Sequence, residues 1–129
     1  MQMTKYEELI GEYEQLIIEE RPMENEGLYA DGCVWINKNM SANKKACILA
    51  EEIGHYETTS GDILDQADTG NRKQELIARK WAYEKLIPVE AIQTAIDNGY
   101  TEIWNIAEFL EVDEAFLKDA LQYYGYLSA

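Results

Sequence analysis

The run Leu49-Ala50-Glu51-Glu52-Ile53-Gly54-His55-Tyr56 sets the only histidine of the chain beside two adjacent carboxylates. Residues four apart stand one turn apart on the same helix face, so Glu51 and His55 are neighbours there. Each residue advances about 100° around the axis. That places Glu51, Glu52 and His55 on the side away from a Leu49, Ile53 and Tyr56 stripe. A carboxylate–imidazole pair at this spacing, with a second carboxylate between, is the layout of a metallohydrolase helix: the pair holds a divalent ion and Glu52 polarises the bound water. The same spacing also describes a solvated acidic face with a surface imidazole. Other chemistries are excluded. One histidine cannot supply two imidazoles from one chain, and Cys47 lies on a different face from His55, so no Cys–His dyad is expected. No G-x-S-x-G, P-loop or G-x-G-x-x-G is present.

The helix that follows supplies the partner. Over about Arg72 to Leu86, Glu75, Ala78, Ala82 and Leu86 fall on one face through spacings of three, four and four. Two alanines there allow two helix backbones to approach closely, which would carry the Glu75 carboxylate to the His55 side. The alternative is an ordinary alanine-lined helix contact with Glu75 at its exposed edge.

Taken together, LAEEIGHY and the later ELIARKWAYEKLIP resemble the ImmA/IrrE metallo-endopeptidases of mobile elements and prophages. The family pattern is HExxH in an LAHELGH context, then ExxAxxFAxxLLxP on the next helix. Glu75, Ala78, Trp81, Ala82, Leu86 and Pro88 stand at the matching places, with Trp81 for the family phenylalanine. GLYADGCVWIN and IAEFLEVDEAFLKDALQYYG also resemble family segments, extending the likeness over residues 10–125.

The resemblance implies an α+β fold with a zincin-like minimal metallopeptidase core. It would comprise an N-terminal helix, a small antiparallel β-sheet, a two-helix active site and C-terminal helix-turn-helix-like helices. One domain, 1–129, would divide into a core at 1–88 and a helical extension at 89–129. His55 is the implied imidazole ligand, Glu75 the carboxylate ligand and Glu52 the general base. Glu51 stands where the pattern has its first histidine, so it would have to supply an oxygen ligand. Carboxylates bind zinc at about 2.0–2.2 Å, yet two anionic ligands nearly cancel the charge of the ion and leave its water less acidic. Zinc is the implied metal, and the one-imidazole, two-carboxylate set tilts toward manganese or iron. The implied substrate is a helix-turn-helix repressor of a phage or integrative element. The rival readings are an inactive pseudo-peptidase that binds a repressor or another protein, and a plain α+β domain with no site.

Around the site, Tyr6, Leu9, Ile10, Tyr13, Leu16 and Ile17 recur at helical spacing and predict a first helix over about 3–18. Leu28–Ala30 and Cys33–Ile36 flank Asp31-Gly32, a hairpin signal, and IIEER before Pro22 reads as a third short strand. Ser41 caps a helix that reaches Tyr56, and 57–70 reads as a loop. Asp62, Asp65 and Asp68 in that loop could cap a helix or add a ligand; they do not match a calcium loop. Helices follow at 72–86, 89–97, 101–111 with Thr101 as N-cap, and 113–124 with Asp113 as N-cap and Gly125 as stop. Trp35, Trp81 and Trp104 sit at apolar-phase positions and are expected in the core. Tyr123, Tyr124 and Tyr126 form an aromatic cluster for packing or for docking a partner.

Composition bounds the partners. Eleven Lys and Arg against 25 Asp and Glu give 129 residues a net charge of −14, which argues against nucleic-acid or anionic-membrane binding. Residues 89–129 carry eight acids against Lys118 alone, so the helix-turn-helix-like segment is expected to be a scaffold or a protein-docking element, not a DNA reader. The acidic, amphipathic first 20 residues are unlike a secretory signal, and Cys33 and Cys47 lack C-x-x-C spacing. The expectation is a cytoplasmic protein with both cysteines as thiols.

Overall fold

A computed structural model describes residues 2–58 and 68–128. Helix α1, Lys5–Glu12, opens with a capping box: Thr4 Oγ1 accepts the Glu7 N–H, and Glu7 Oε1 accepts the Thr4 N–H. It ends well short of the expected residue 18. Ile17 and Ile18 keep the helical phase, but they are β-branched and find strand partners, and β1, Ile17–Arg21, takes them.

β2, Gly27–Ala30, and β3, Cys33–Asn37, form the expected hairpin. Asp31 (φ 46°) and Gly32 (φ 81°) are both left-handed, as a two-residue turn matched to the strand twist requires. The sheet itself departs from expectation. Its order is β1-β3-β2, with β3 antiparallel to β2 but parallel to β1, from Ile17 opposite Cys33 to Arg21 opposite Asn37. The sheet is therefore mixed, not antiparallel, because residues 22–26 carry the chain across the end of β3 and set β2 on its far side. β3 is central and buries Val34 and Ile36 completely. Trp35, on the opposite face, is half-buried beneath the Arg21 guanidinium, 4.7 Å from the ring centroid.

α2, Ala42–Thr58, is capped by Ser41, whose Oγ accepts the Lys44 N–H at 3.2 Å. Its buried face, Ala46 to Ala50 with Ile53 and Gly54, meets the sheet on one side and α3, Asp68–Leu86, on the other. α3 begins four residues earlier than the spacing predicts, so Asp68 is its first residue; Asp62 and Asp65 lie outside the described residues. Lys5 Nζ donates to the Leu86 carbonyl at 3.1 Å, tying α1 to the end of α3.

Three short helices complete the fold: α4, Val89–Asp97, α5, Ile103–Leu110, and α6, Glu114–Tyr124. The N-cap of α5 is Glu102 and not Thr101, because the Glu102 carboxylate and the Asn105 amide satisfy each other's backbone N–H groups. Glu111 (φ 59°) turns the chain between α5 and α6. α6 returns to α3 through Tyr83, whose ring lies 5.3 Å from Phe116 and 5.6 Å from Tyr123. The tyrosine cluster is divided: Tyr124 donates to the Ile87 carbonyl at 2.7 Å, while Tyr123 and Tyr126 remain exposed. Trp81 packs on the core, but Trp104 does not; it is 55 % exposed. Five of the eight residues of α5 are large and apolar, so its phase does not single out one inward face. No described helix is long and apolar enough to cross a membrane.

Candidate metal centre

Two glycines decide where the chemical groups meet. Gly54, immediately before His55, lies against Ala78 so closely that a Cβ there would stand 2.6 Å from the Ala78 carbonyl oxygen. Only hydrogen on one backbone and a methyl on the other permit this approach of α2 to α3. Ala78 and Ala82 are fully buried in the contact. One turn before Ala78, Glu75 then reaches back across the crossing, and its Oε1 lies 3.0 Å from His55 Nε2. The imidazole is largely covered, at 18 % exposure, and the carboxylate half open, at 53 %.

Gly27 of β2 is the second close approach. A Cβ on it would meet Ile48 Cγ2 at 2.6 Å and Glu52 Oε2 at 3.2 Å. The Glu52 carboxylate thus lies directly under a strand backbone. Burial, reinforced by the negative charges of Glu75 and Glu51, pushes its pKa up to about 7. Sequence reasoning passed over Gly27, although a glycine inside a strand is a signal of close backbone approach.

Glu51 points elsewhere. It lines a hollow of about 210 Å³ between α2, α3 and α6, with Lys44, Arg79, Asp113 and Asp119 around it. Burial raises its pKa to about 7; Arg79 and Lys44 pull against this, while Glu75 and Glu26 add to it. Arg79, one turn beyond Glu75, carried no motif that could have singled it out. Neither glutamate is on a freely solvated face, so the bland alternative for the Glu51/His55 spacing does not describe this helix.

The residues can be tested against a divalent ion. Two donors on one ion at roughly 2.0–2.2 Å lie about 3–3.5 Å apart, and His55 and Glu75 already have that separation. Imidazole and carboxylate are both suitable donors for zinc, manganese or iron. Among the described residues, no third His, Cys, Asp or Glu side chain converges with them into a closed set. His55 and Glu75 therefore fit two positions, and Glu51, in its hollow, stands next to them without completing a third.

No curated protein matches the chain significantly. A family model described as the IrrE N-terminal-like domain matches residues 15–122. That span runs from just before β1 to the last turns of α6 and contains both helices of the site. A metallopeptidase-type function and a divalent metal are what this family implies. With the fold, the crossed helices and most of its length in agreement, the chain belongs to the Peptidase_M78 family of IrrE N-terminal-like domains.

Proposed function

We propose that this protein is a metal-dependent endopeptidase that cleaves a helix-turn-helix repressor of a phage or integrative element, with Glu52 as the general base. The observation that carries the reading is the 3.0 Å pairing of His55 with Glu75, made beside a Glu52 carboxylate whose pKa is about 7. His55 and Glu75 would hold the ion, and Glu51 would join them only by turning out of its hollow; zinc is proposed, with manganese or iron as alternatives. When bound, the ion would polarise the scissile carbonyl and acidify a water.

Glu52 suits the proton work. In the metal-free protein burial holds the Glu52 carboxyl at about 7, and a carboxylate in this place can take a proton from water and return it to the departing amine. Strand β2 supports a peptide as substrate. Asn37 N–H donates to the Glu26 carbonyl, so the alternation of an antiparallel pair turns the backbone groups of Gly27 and Tyr29 away from β3. Among the described residues β2 pairs with β3 alone, leaving a strand edge above Glu52 to which extended peptide could add.

The second reading is a binding module that retains the fold without turnover. The outward placement of Glu51, beside Arg79 and Lys44, favours it. The test is a cleavage assay on the repressor encoded nearest the gene, with zinc or manganese supplied, for the parent, Glu52→Gln, Glu51→His and His55→Ala. Cleavage by the parent and loss in Glu52→Gln establish the peptidase. Cleavage by Glu51→His alone establishes the binding module, and a Glu52→Gln variant as active as the parent removes Glu52 from the mechanism.

A further inference from the structure

A groove of about 370 Å³ lies at the other end of α2, between its first turn and the α5–α6 corner. Its floor is the indole of Trp104 with the buried Ala107 and Val112; its walls are the carboxylates of Glu108, Asp113 and Glu114. Ser41 and Asn43 close the α2 side. From Asn43 to Glu52 is nine residues of α2, roughly 14 Å at 1.5 Å per residue. The groove and the His55–Glu75 pair therefore lie at different ends of one helix, with Asp113 shared between the groove and the Glu51 hollow.

Three properties of the groove point to one kind of occupant. Trp104 is 55 % exposed, although a flat indole face of this size is ordinarily buried. No lysine or arginine lines the groove, and among the described residues none of Glu108, Asp113 and Glu114 takes part in an ion pair. Lys44, the nearest cation in sequence, pairs with Glu26 at 3.1 Å and shares a hollow with Asp113, but it reaches neither Glu108 nor Glu114 as an ion pair. The corner is also built as a helix-turn-helix, with a left-handed residue at Glu111 and Leu117 and Ala120 buried behind α6. Its outer side carries carboxylates where a phosphate-binding corner would carry cations. Nucleic acid is repelled from such a surface, and a planar cation is suited to it. A guanidinium stacks on the face of tryptophan and donates two hydrogen bonds to one carboxylate; an ammonium does the first less well and lacks the geometry for the second.

We propose that this groove is a docking site for an arginine presented by a basic segment of a partner protein, stacked on Trp104 and paired with Glu108 or Glu114. The site is separate from peptide hydrolysis and holds equally for a catalyst or a binding module. In a catalyst it would anchor substrate about 14 Å from Glu52, leaving the strand edge at Gly27 to take the segment to be cut.

The test is a titration of the full chain, in EDTA, with a fluorescent 12-residue peptide of arginine, glycine and serine. A lysine version and a citrulline version serve as comparison, and the fluorescence and indole N–H NMR signal of Trp104 are followed. The expected order is arginine tighter than lysine, with the citrulline peptide not bound. Trp104→Ala and the pair Glu108→Gln/Glu114→Gln each weaken arginine-peptide binding about five- to tenfold. The exposed pair Glu14→Gln/Glu24→Gln, which makes the same change in net charge, alters it less than about twofold. Trp104 and the four glutamates are exposed, and thermal melts of the variants report their folding directly. Equal weakening by the two glutamine pairs would show diffuse attraction to an acidic protein and overturn the proposal. So would an unmoved Trp104 signal, or Trp104-dependent binding of a short DNA duplex. EDTA removes any metal, so failure here leaves the peptidase reading standing, and the reverse also holds.

Discussion

Glu51 and Glu52 are adjacent in sequence and share a pKa near 7, yet they face different surroundings: one the Lys44/Arg79 hollow, the other the backbone of Gly27. Both folded-state values lie above the ordinary carboxylate value. At pH below that ordinary value both states are protonated and the groups favour the fold fully; their contribution is lost as pH rises toward 7. Metal-free parent protein is thus expected to lose melting temperature between pH 5 and 7.5, relative to Glu51→Gln/Glu52→Gln measured beside it in EDTA. Parallel curves for the two proteins would show that the glutamates are not buried as described. Glu51→His, in turn, exchanges an anionic oxygen for a neutral nitrogen at the family's first-histidine position. Tighter zinc binding than the parent is expected in a competition titration with a chromogenic chelator. The spacing of residues 51, 52 and 55 was legible in the sequence. The divergence of the two glutamates was not, because it depends on which elements pack on either side of α2.

At the scale of elements, the Gly54–Ala78 contact is the feature on which the site rests. Gly54→Ala puts a methyl 2.6 Å from a backbone oxygen that cannot rotate away. The helices must separate, at a cost of about 1–3 kcal/mol, and His55 parts from Glu75. A lower melting temperature and a clear loss of metal affinity are expected together from Gly54→Ala; unchanged affinity would show that the crossing does not set the ligand spacing. Gly27→Ala separates the two properties differently. Its Cβ would meet the tip of Ile48 and the Glu52 carboxylate, both of which can shift, so metal affinity should hold while any peptidase rate falls. The stripe of Glu75, Ala78, Ala82 and Leu86 made the α2–α3 contact readable, since small residues at helical spacing have few other uses on a buried face. The end of α1 was not readable. Tyr13, Leu16 and Ile17 keep the helical phase, and only pairing of Ile17 with Cys33, 16 residues away, makes the segment a strand. Parallel pairing of β1 with β3 escaped for the same reason, because local pattern identifies strands and not their neighbours. Trp104 was expected in the core because apolar phase cannot distinguish a residue facing inward from one at the rim of an almost wholly apolar helix.

For the whole molecule, a net charge of −14 and the carboxylates of Glu52 and Glu75 beside His55 lead to the expectation that a divalent cation stabilises the fold. Zinc or manganese at about a hundred times its dissociation constant adds roughly 2.7 kcal/mol to the folded state, which for a chain of this size is about 10 °C in melting temperature. His55→Ala should lose most of that increment. An equal rise in the variant would assign the effect to cations on the acidic surface.

The tie between Lys5 and the Leu86 carbonyl has a consequence for how the chain is made. These partners are 81 residues apart, and at about 5–20 residues per second the ribosome needs roughly 4–16 s to supply the second after the first. Until α2, Ala42–Thr58, emerges α1 has nothing to dock on, and until α3 follows its packing is incomplete. At eight residues it is too short to hold its own turns in water, and the side chains it later buries, Leu9 and Tyr13, stay open to the surroundings. Glu7, Glu8, Glu12 and Glu14 are interspersed with them, and repulsion between like-charged nascent segments keeps that stretch from associating before its own α2 and α3 arrive.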